Sequence, residues 1–189
     1  MTSSVRRLGI DLGDRRVGLA VSIDDASPRG LSTMMRSDRI DGDVTRLATI
    51  CREQRITELV IGLPLHSDGT MSPQGEKTLH WAEQVVSHLQ LPITFIDERY
   101  SSERAAERVG RQGGGSGGAA PGPTRRAAHR AAIDQAAAQL ILEDVVNPAL
   151  QVDPTQLGRT SATRADLHSS LHSARSCWRS SSDALQHQH

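Results

Sequence analysis

The chain is short of lysine, aromatics and cysteine, and it has no excess charge of either sign. Its 22 basic residues balance 22 acidic ones, and Lys77 is the one lysine among them. That balance excludes a uniformly basic nucleic-acid coat. Aromatics make up 2% of 189 residues, namely Trp81, Phe95, Tyr100 and Trp178. Four scattered rings cannot form a row of platforms on which single-stranded bases stack. Cys51 and Cys177 stand far apart in no ligand spacing. This excludes a disulfide scaffold and a cysteine-based zinc site, and it fits a reducing compartment. No apolar h-region opens the sequence and no apolar run approaches the roughly 18 residues of a membrane span. A cytoplasmic chain with no membrane contact is therefore expected.

What is present reads as one domain, residues 1–150, followed by a tail, residues 151–189. The tail is rich in Ser, Thr, His and Gln and poor in large apolar residues, so disorder is expected there. Its His168, His172, His187 and His189 lack the spacing of a metal site. Within the domain, Val5–Asp11 and Arg16–Ile23 are apolar, β-branched runs around the turn residues Gly13-Asp14-Arg15, which predicts a hairpin. Gly30–Met35 suits a third strand. Glu58–Leu63 and Pro92–Asp97 are runs of the kind that fill buried strands. Apolar residues at helical spacing predict helices over Asp41–Gln54, Pro73–Leu89 and Ala127–Val146, and a further helix follows Ser101. The glycines from Gly113 to Gly118 predict a flexible loop before the last helix. Strands alternating with helices give an α/β fold, and the hairpin makes its sheet mixed.

Acidic residues at the ends of the predicted strands carry the chemical signal. Asp11 ends the first strand in Gly9-Ile10-Asp11-Leu12-Gly13, and Asp97 and Glu98 end the strand that begins at Pro92. Sites in open α/β sheets form at strand ends, where separate segments converge. A third carboxylate, Asp134, interrupts an Ala-rich apolar helix and needs a partner if it is half-buried. Each alone has a plain explanation: a turn or cap for the strand-end residues, and a helix-dipole partner for Asp134. Together, carboxylates from two strands and a helix match what Mg²⁺ requires, a hard ion held by a few carboxylates plus phosphate oxygens. At this level Asp97 and Glu98 are equivalent candidates.

The charge balance is uneven along the chain. Residues 1–98 sum to −3, residues 99–130 to +5, residues 131–150 to −3 and the remainder to +1. An arginine-flanked loop between the candidate carboxylates suits a phosphate backbone, with Arg99, Arg125, Arg126 and Arg130 as candidate nucleic-acid contacts. Arg104 and Arg108 could instead pair with Glu103 and Glu107 along their own helix. His129, five residues before Asp134, is a candidate proton shuttle or a plain surface histidine. Asp68, in His66-Ser67-Asp68-Gly69, reads as turn chemistry, and Trp81 as packing.

The segments Gly9-Ile10-Asp11-Leu12-Gly13, Arg16-Val17-Gly18-Leu19-Ala20-Val21-Ser22, Val60-Ile61-Gly62-Leu63-Pro64-Leu65, Asp68-Gly69-Thr70, Asp97-Glu98-Arg99 and Ile133-Asp134 with Ala137-Ala138 resemble, in order, the YqgF/RuvX family. These are bacterial Holliday-junction-resolvase-like proteins, also described as pre-16S rRNA nucleases. The resemblance implies an RNase H-like fold, a central five-stranded mixed sheet with helices on both faces. It also implies a phosphodiesterase site of Asp11, Glu98 and Asp134 binding Mg²⁺ or Mn²⁺. It selects Glu98 over Asp97. The implied role is processing of the 5′ end of the 16S rRNA precursor, with pre-rRNA or structured DNA or RNA as partner. Tyr100 and the Gly/Pro-rich loop depart from the family pattern, and the tail after Asn147 has no counterpart in it.

Two other classes compete. Gly9–Gly18 resembles the first phosphate motif of actin-like and sugar-kinase phosphotransferases, but the second Gly-rich motif and second domain of those enzymes are missing. A non-catalytic RNA-binding or transcription-linked factor on the same fold would keep the carboxylates without turnover.

Overall fold

A computed structural model describes residues 4–24, 26–99, 101–112 and 122–157. Tyr100, the Gly113–Gly118 stretch and the tail beyond Leu157, on which the loop and tail expectations fall, lie outside the described residues. Six strands form one sheet in the order β3-β2-β1-β4-β5-β6. They are β1 (Arg6–Leu12), β2 (Arg16–Ile23), β3 (Arg29–Met35), β4 (Glu58–Leu63), β5 (Ile93–Asp97) and β6 (Gln151–Val152). β1, β2 and β3 pair antiparallel, whereas β4 runs parallel to β1 and β5 parallel to β4. The first hairpin closes where Gly13 N–H donates to the Arg16 carbonyl at 2.9 Å.

The side-chain period of two sorts each strand onto two faces. Leu8, Ile10, Leu12, Val17, Leu19, Val21, Leu59, Ile61, Leu63 and Phe95 fill one face, each at most 3% exposed. Helices α1 (Ile40–Gln54) and α2 (Pro73–Leu89) cover it. α2 begins where Ser72 Oγ accepts from Gly75 N–H at 2.9 Å with Pro73 at the first helical position. α1 and α2 are tied by buried Asp43, which accepts from Trp81 Nε1 at 3.1 Å and Ser37 N–H at 2.7 Å. Trp81 is thus both packing and hydrogen-bond donor.

The opposite face is built of small residues, and α4 (Pro123–Asp144) lies on it. Gly9 and Gly18 make that approach possible. A Cβ on Gly9 would stand 2.6 Å from the Ala138 carbonyl oxygen, and one on Gly18 would overlap the Asp134 backbone. The helix therefore touches the sheet backbone to backbone, with Ala138, Ile141 and Leu142 packed on Ala20, Val60 and Ile96. α3 (Ser101–Gln112) lies outside α4 across an alanine-lined contact, Ala105 against Ala136, Ala137 and Leu140. Helices on both faces of a mixed sheet, with the hairpin-first strand order, make this the RNase H-like architecture.

Three features differ from the sequence reading. The sheet has a sixth strand, because Gln151–Val152, assigned to the tail, pairs antiparallel with Phe95–Ile96. α4 starts at Pro123 rather than Ala127, since proline is favoured at a first helical position. Arg125 and Arg126 consequently sit on the first turn of a helix and not in a loop. Arg104 and Arg108, expected to pair along α3, are engaged on the neighbouring helix. They reach across to α4, Arg104 Nη1 donating to Asp144 Oδ2 and Arg108 Nη2 to Glu143 Oε2, both at 2.8 Å.

Candidate active site

The parallel strands β1, β4 and β5 point their C-terminal ends to one edge of the sheet, and the three candidate carboxylates meet there. Asp11 follows Gly9 on the small-residue face of β1 and pairs with Gly18 of β2. Because Gly18 lacks a side chain, the α4 backbone at Asp134 rests directly on that pair. Asp134 lies eleven residues after Pro123, in the middle of α4. It is too far from the helix start to act as a dipole partner, which removes the plain explanation for it.

Register puts Asp97 and Glu98 on opposite faces of the sheet. Phe95 and Asp97 belong to the face covered by α1 and α2, whereas Ile96 and Glu98 belong to the α4 face with Asp11. Glu98 continues the parallel ladder, its N–H donating to the Leu63 carbonyl at 3.1 Å. Gly62 leaves room for it, since a Cβ there would stand 2.6 Å from Glu98 Oε2. Asp97 has a structural task. It accepts from Arg99 Nε at 2.7 Å and Arg99 N–H at 3.1 Å, while Arg99 Nη1 donates to the Ser67 carbonyl at 3.2 Å. The pair therefore fastens the β4–α2 loop to the end of β5. Asp68 in that loop accepts from Thr70 N–H at 2.9 Å and from Thr70 Oγ1 at 2.7 Å, and these bonds hold its pKa below the usual value.

The centre is electrostatically strained. Asp11 is half-buried, shares a hydrogen bond with Glu98 and faces the charge of Asp134. Desolvation first, and the Asp134 charge second, push its pKa up to about 6, against the opposing pull of Glu98 and Arg16. Two carboxyl groups in hydrogen-bond contact hold a proton or a cation between them. Arg16, a residue that sequence reasoning did not place at the site, supplies the local positive charge. Its Nε donates to Asp134 Oδ2 at 2.6 Å. Arg16 and Asp134 are 118 positions apart, so no local spacing could have announced the pair.

Asp11 with Glu98 is a hydrogen-bonded carboxyl pair beside a glycine-made hollow, a donor set of the kind Mg²⁺ and Mn²⁺ take. Asp134 is engaged by Arg16, and among the described residues no three acidic, histidine or cysteine side chains gather closely enough to hold one ion.

The candidate nucleic-acid contacts divide. Arg99 is committed to Asp97 and the Ser67 carbonyl. Arg125, Arg126 and Arg130 are exposed on the first turns of α4. Arg130 precedes Asp134 by four residues and Arg126 by eight, so they lie along one side of the helix with it. His129 is exposed and, five residues from Asp134, sits about 140° around the helix.

A mixed sheet carrying carboxylates at the C-terminal edge of its central strands, backed by a helix that delivers a third, defines an RNase H-like domain with an acidic centre. The chain belongs to the RuvX family, whose model, described as "Holliday junction resolvase", matches residues 5–147. Its relatives include a Synechococcus elongatus protein, 36% identical over 155 residues that span 81% of this chain and 95% of the relative. A Myxococcus xanthus protein is 32% identical over 140 residues, 74% of this chain and 85% of the relative. Both carry the name "Putative pre-16S rRNA nuclease". Among solved structures, Thermus thermophilus RuvC in complex with Holliday junction substrate aligns with 78% of this chain and 98% of its own, at a TM-score of 0.46 and 13% identity. Among the described residues no helix is long and apolar enough to cross a membrane.

Proposed function

We propose that this chain is a metal-dependent nuclease that hydrolyses phosphodiester bonds and processes the 5′ end of the 16S rRNA precursor in the cytoplasm. The observation that carries the reading is the meeting of Asp11, Glu98 and Asp134 from β1, the end of β5 and α4 at one edge of the sheet. Family membership and the names of the relatives support the substrate.

Asp11 and Glu98 would hold Mg²⁺ or Mn²⁺. The bound ion would supply a polarised water and a charge for the phosphate oxygens. The chain does the rest. Asp134, oriented by Arg16, keeps a carboxylate at the third side of the centre, where it can orient a water or accept its proton. Arg125, Arg126 and Arg130 along α4 hold the phosphate backbone, which gives affinity without base specificity. Their placement supports this role. Arg125 and Arg126 are cations in the first turn, where they oppose the helix dipole, so the dipole does not explain them.

The test incubates purified protein with a labelled RNA that carries the precursor 5′ extension, and in parallel with a four-way DNA junction. Mg²⁺, Mn²⁺ and EDTA are compared. Cleavage of the RNA by wild type and not by Asp11→Asn supports the reading. Cleavage surviving in EDTA or in Asp11→Asn overturns the mechanism. Cleavage of the junction alone overturns the substrate.

A further inference from the structure

The last residue of β3 leaves an apolar side chain in solvent at the edge of the sheet that carries Asp11. Met35 is 58% exposed. Single exposed apolar residues are ordinary on a protein surface, so position has to distinguish this one. Val5 and Val146, the other large apolar residues exposed among the described ones, precede β1 and follow α4 and so lie at the opposite edge. Met35 pairs in register with Arg16. Alternation along β3 sends Met34 into the core beneath α1 and α2. It turns Met35 to the other face with Thr33, whose Oγ1 donates to the Ala131 carbonyl of α4 at 3.1 Å. Arg16 is on that face too, since its Nε donates to Asp134. Opposed residues on one face stand about 5 Å apart at Cβ, so the Met35 thioether borders the Arg16 side chain. Asp11, Gly18 and Thr33 form one row across the sheet, and Arg16 and Met35 belong to the next row outward. Strand spacing and rise put Met35 roughly 12 Å from Asp11.

The backbone of this corner is held from outside. Arg46 Nη1 on α1 donates to the Met35 carbonyl at 2.8 Å, and Arg36 N–H donates to the Arg15 carbonyl at 3.0 Å. Arg15 stands at the hairpin tip next to Arg16. It is exposed, and its side chain makes no hydrogen bond or ion pair among the described residues. An apolar platform with guanidinium groups beside it complements a nucleotide, which joins an apolar base face to an anionic phosphate. Sulfur packs on an aromatic face whatever the ring. A duplex stacks its base faces out of reach, whereas an unpaired nucleotide offers its own.

We propose that Met35 is the base-contacting residue of this surface. The face of one unpaired nucleotide, close to the cleaved bond, rests on its thioether, and Arg15 holds a phosphate of the same strand. The contact selects an unpaired nucleotide and not a particular base. The inference rests on the nuclease reading for its substrate and adds to it the state of the strand beside the cut.

Binding of the full chain in EDTA, followed by fluorescence anisotropy, tests this without cleavage. The probes are single-stranded RNA of the precursor 5′ extension, the same RNA fully paired, and single strands with one abasic nucleotide moved position by position. Each variant is checked for fold by circular dichroism. Met35→Ala should bind the single strand about three- to tenfold more weakly and the duplex within about twofold of wild type. Met35→Leu, which keeps the apolar surface, should recover most of the loss. At one abasic position wild type should lose as much as Met35→Ala does, and Met35→Ala should lose nothing more. Arg15→Ala should lower the salt slope on the single strand by about 0.7. Unchanged binding by Met35→Ala, an equal loss on the duplex, or no abasic position at which the two losses merge overturns the base contact. An unchanged slope in Arg15→Ala overturns the phosphate contact. The expected binding pattern from a chain that cleaves nothing in Mg²⁺ or Mn²⁺ supports the proposal and overturns the nuclease reading instead, so the two failures are distinguishable.

Discussion

Asp97 and Glu98 are neighbours in sequence and face opposite sides of the sheet. Asp97 is fixed to Arg99 at 2.7 Å beneath the β4–α2 loop, and Glu98 shares a hydrogen bond with Asp11. Their substitutions should therefore separate. Glu98→Gln should fold normally and lose at least about a hundredfold in cleavage rate, as expected for removal of a charged group from the reacting centre. Asp97→Ala should lose about 1–2 kcal/mol of stability, since it deletes a charge-assisted, largely buried pair, and should keep measurable cleavage. Denaturant titration and single-turnover assays measure both. The reverse pattern would exchange their roles.

The raised pKa of Asp11 has a sign. Well below pH 3.8 the residue is protonated in both states. Between its ordinary value of 3.8 and about 6, the folded chain binds a proton that the unfolded chain releases, so stability falls as pH rises through this window. Above it both states are ionised, and the native state carries a penalty of up to about 3 kcal/mol. Asp11→Asn never ionises. In EDTA it should be more stable than wild type at pH 8 and lose that advantage near pH 4. Melting temperatures of the two proteins across pH 4–8 decide this; parallel curves would refute it.

The arginines of the +5 segment should fall into two groups under salt. Arg125→Ala, Arg126→Ala and Arg130→Ala should each weaken RNA binding and lower the slope of log affinity against log salt by about 0.7–0.9 per lost phosphate contact. Arg104→Ala and Arg108→Ala should leave the slope alone, because their partners are Asp144 and Glu143. Filter binding at several salt concentrations separates the groups. Equal slopes throughout would return α4 to a solvated surface.

Those same pairs should contribute little to stability. Both lie at the surface, so a double-mutant cycle on Arg108 and Glu143 should give a coupling of about 0.5–1 kcal/mol that shrinks in high salt. A salt-independent coupling above that range would contradict the exposed geometry.

Gly18→Ala should damage fold and site together. Its methyl group would meet the Asp134 backbone, and overpacking of this kind costs about 1–3 kcal/mol or more. Cleavage should fall further than stability alone explains, because the helix that carries Asp134 must lift. Wild-type cleavage by a fully folded Gly18→Ala would show that the helix has slack.

Much of the fold was legible, for a physical reason. β2, β4 and α2 fall within the bounds read from periodicity, because each buries a strict face and ends in turn or cap chemistry. Local pattern was silent where partners are distant. Arg104 and Arg108 meet residues 40 and 35 positions away. β6 is two residues long and takes its identity from β5 rather than from its own sequence. At the site, residue type pointed to Asp11 and Asp134. The choice of Glu98 came from family resemblance, since strand-end register is not fixed by a run that both residues terminate. Arg16 stood in a quoted motif without a role, because its partner lies on the last helix.

The close seating of α4 on Gly9 and Gly18 works as a mechanical datum. Asp134 is indexed against the sheet by main chain, which cannot change its dimensions by mutation, and not by a layer of interchangeable side chains. Outer positions of α4 can then vary in charge and size while the distance from Asp134 to β1 stays constant. Variation of the outer face is uncoupled from calibration of the centre, and the cost of that freedom is concentrated in two residues that have no room to change.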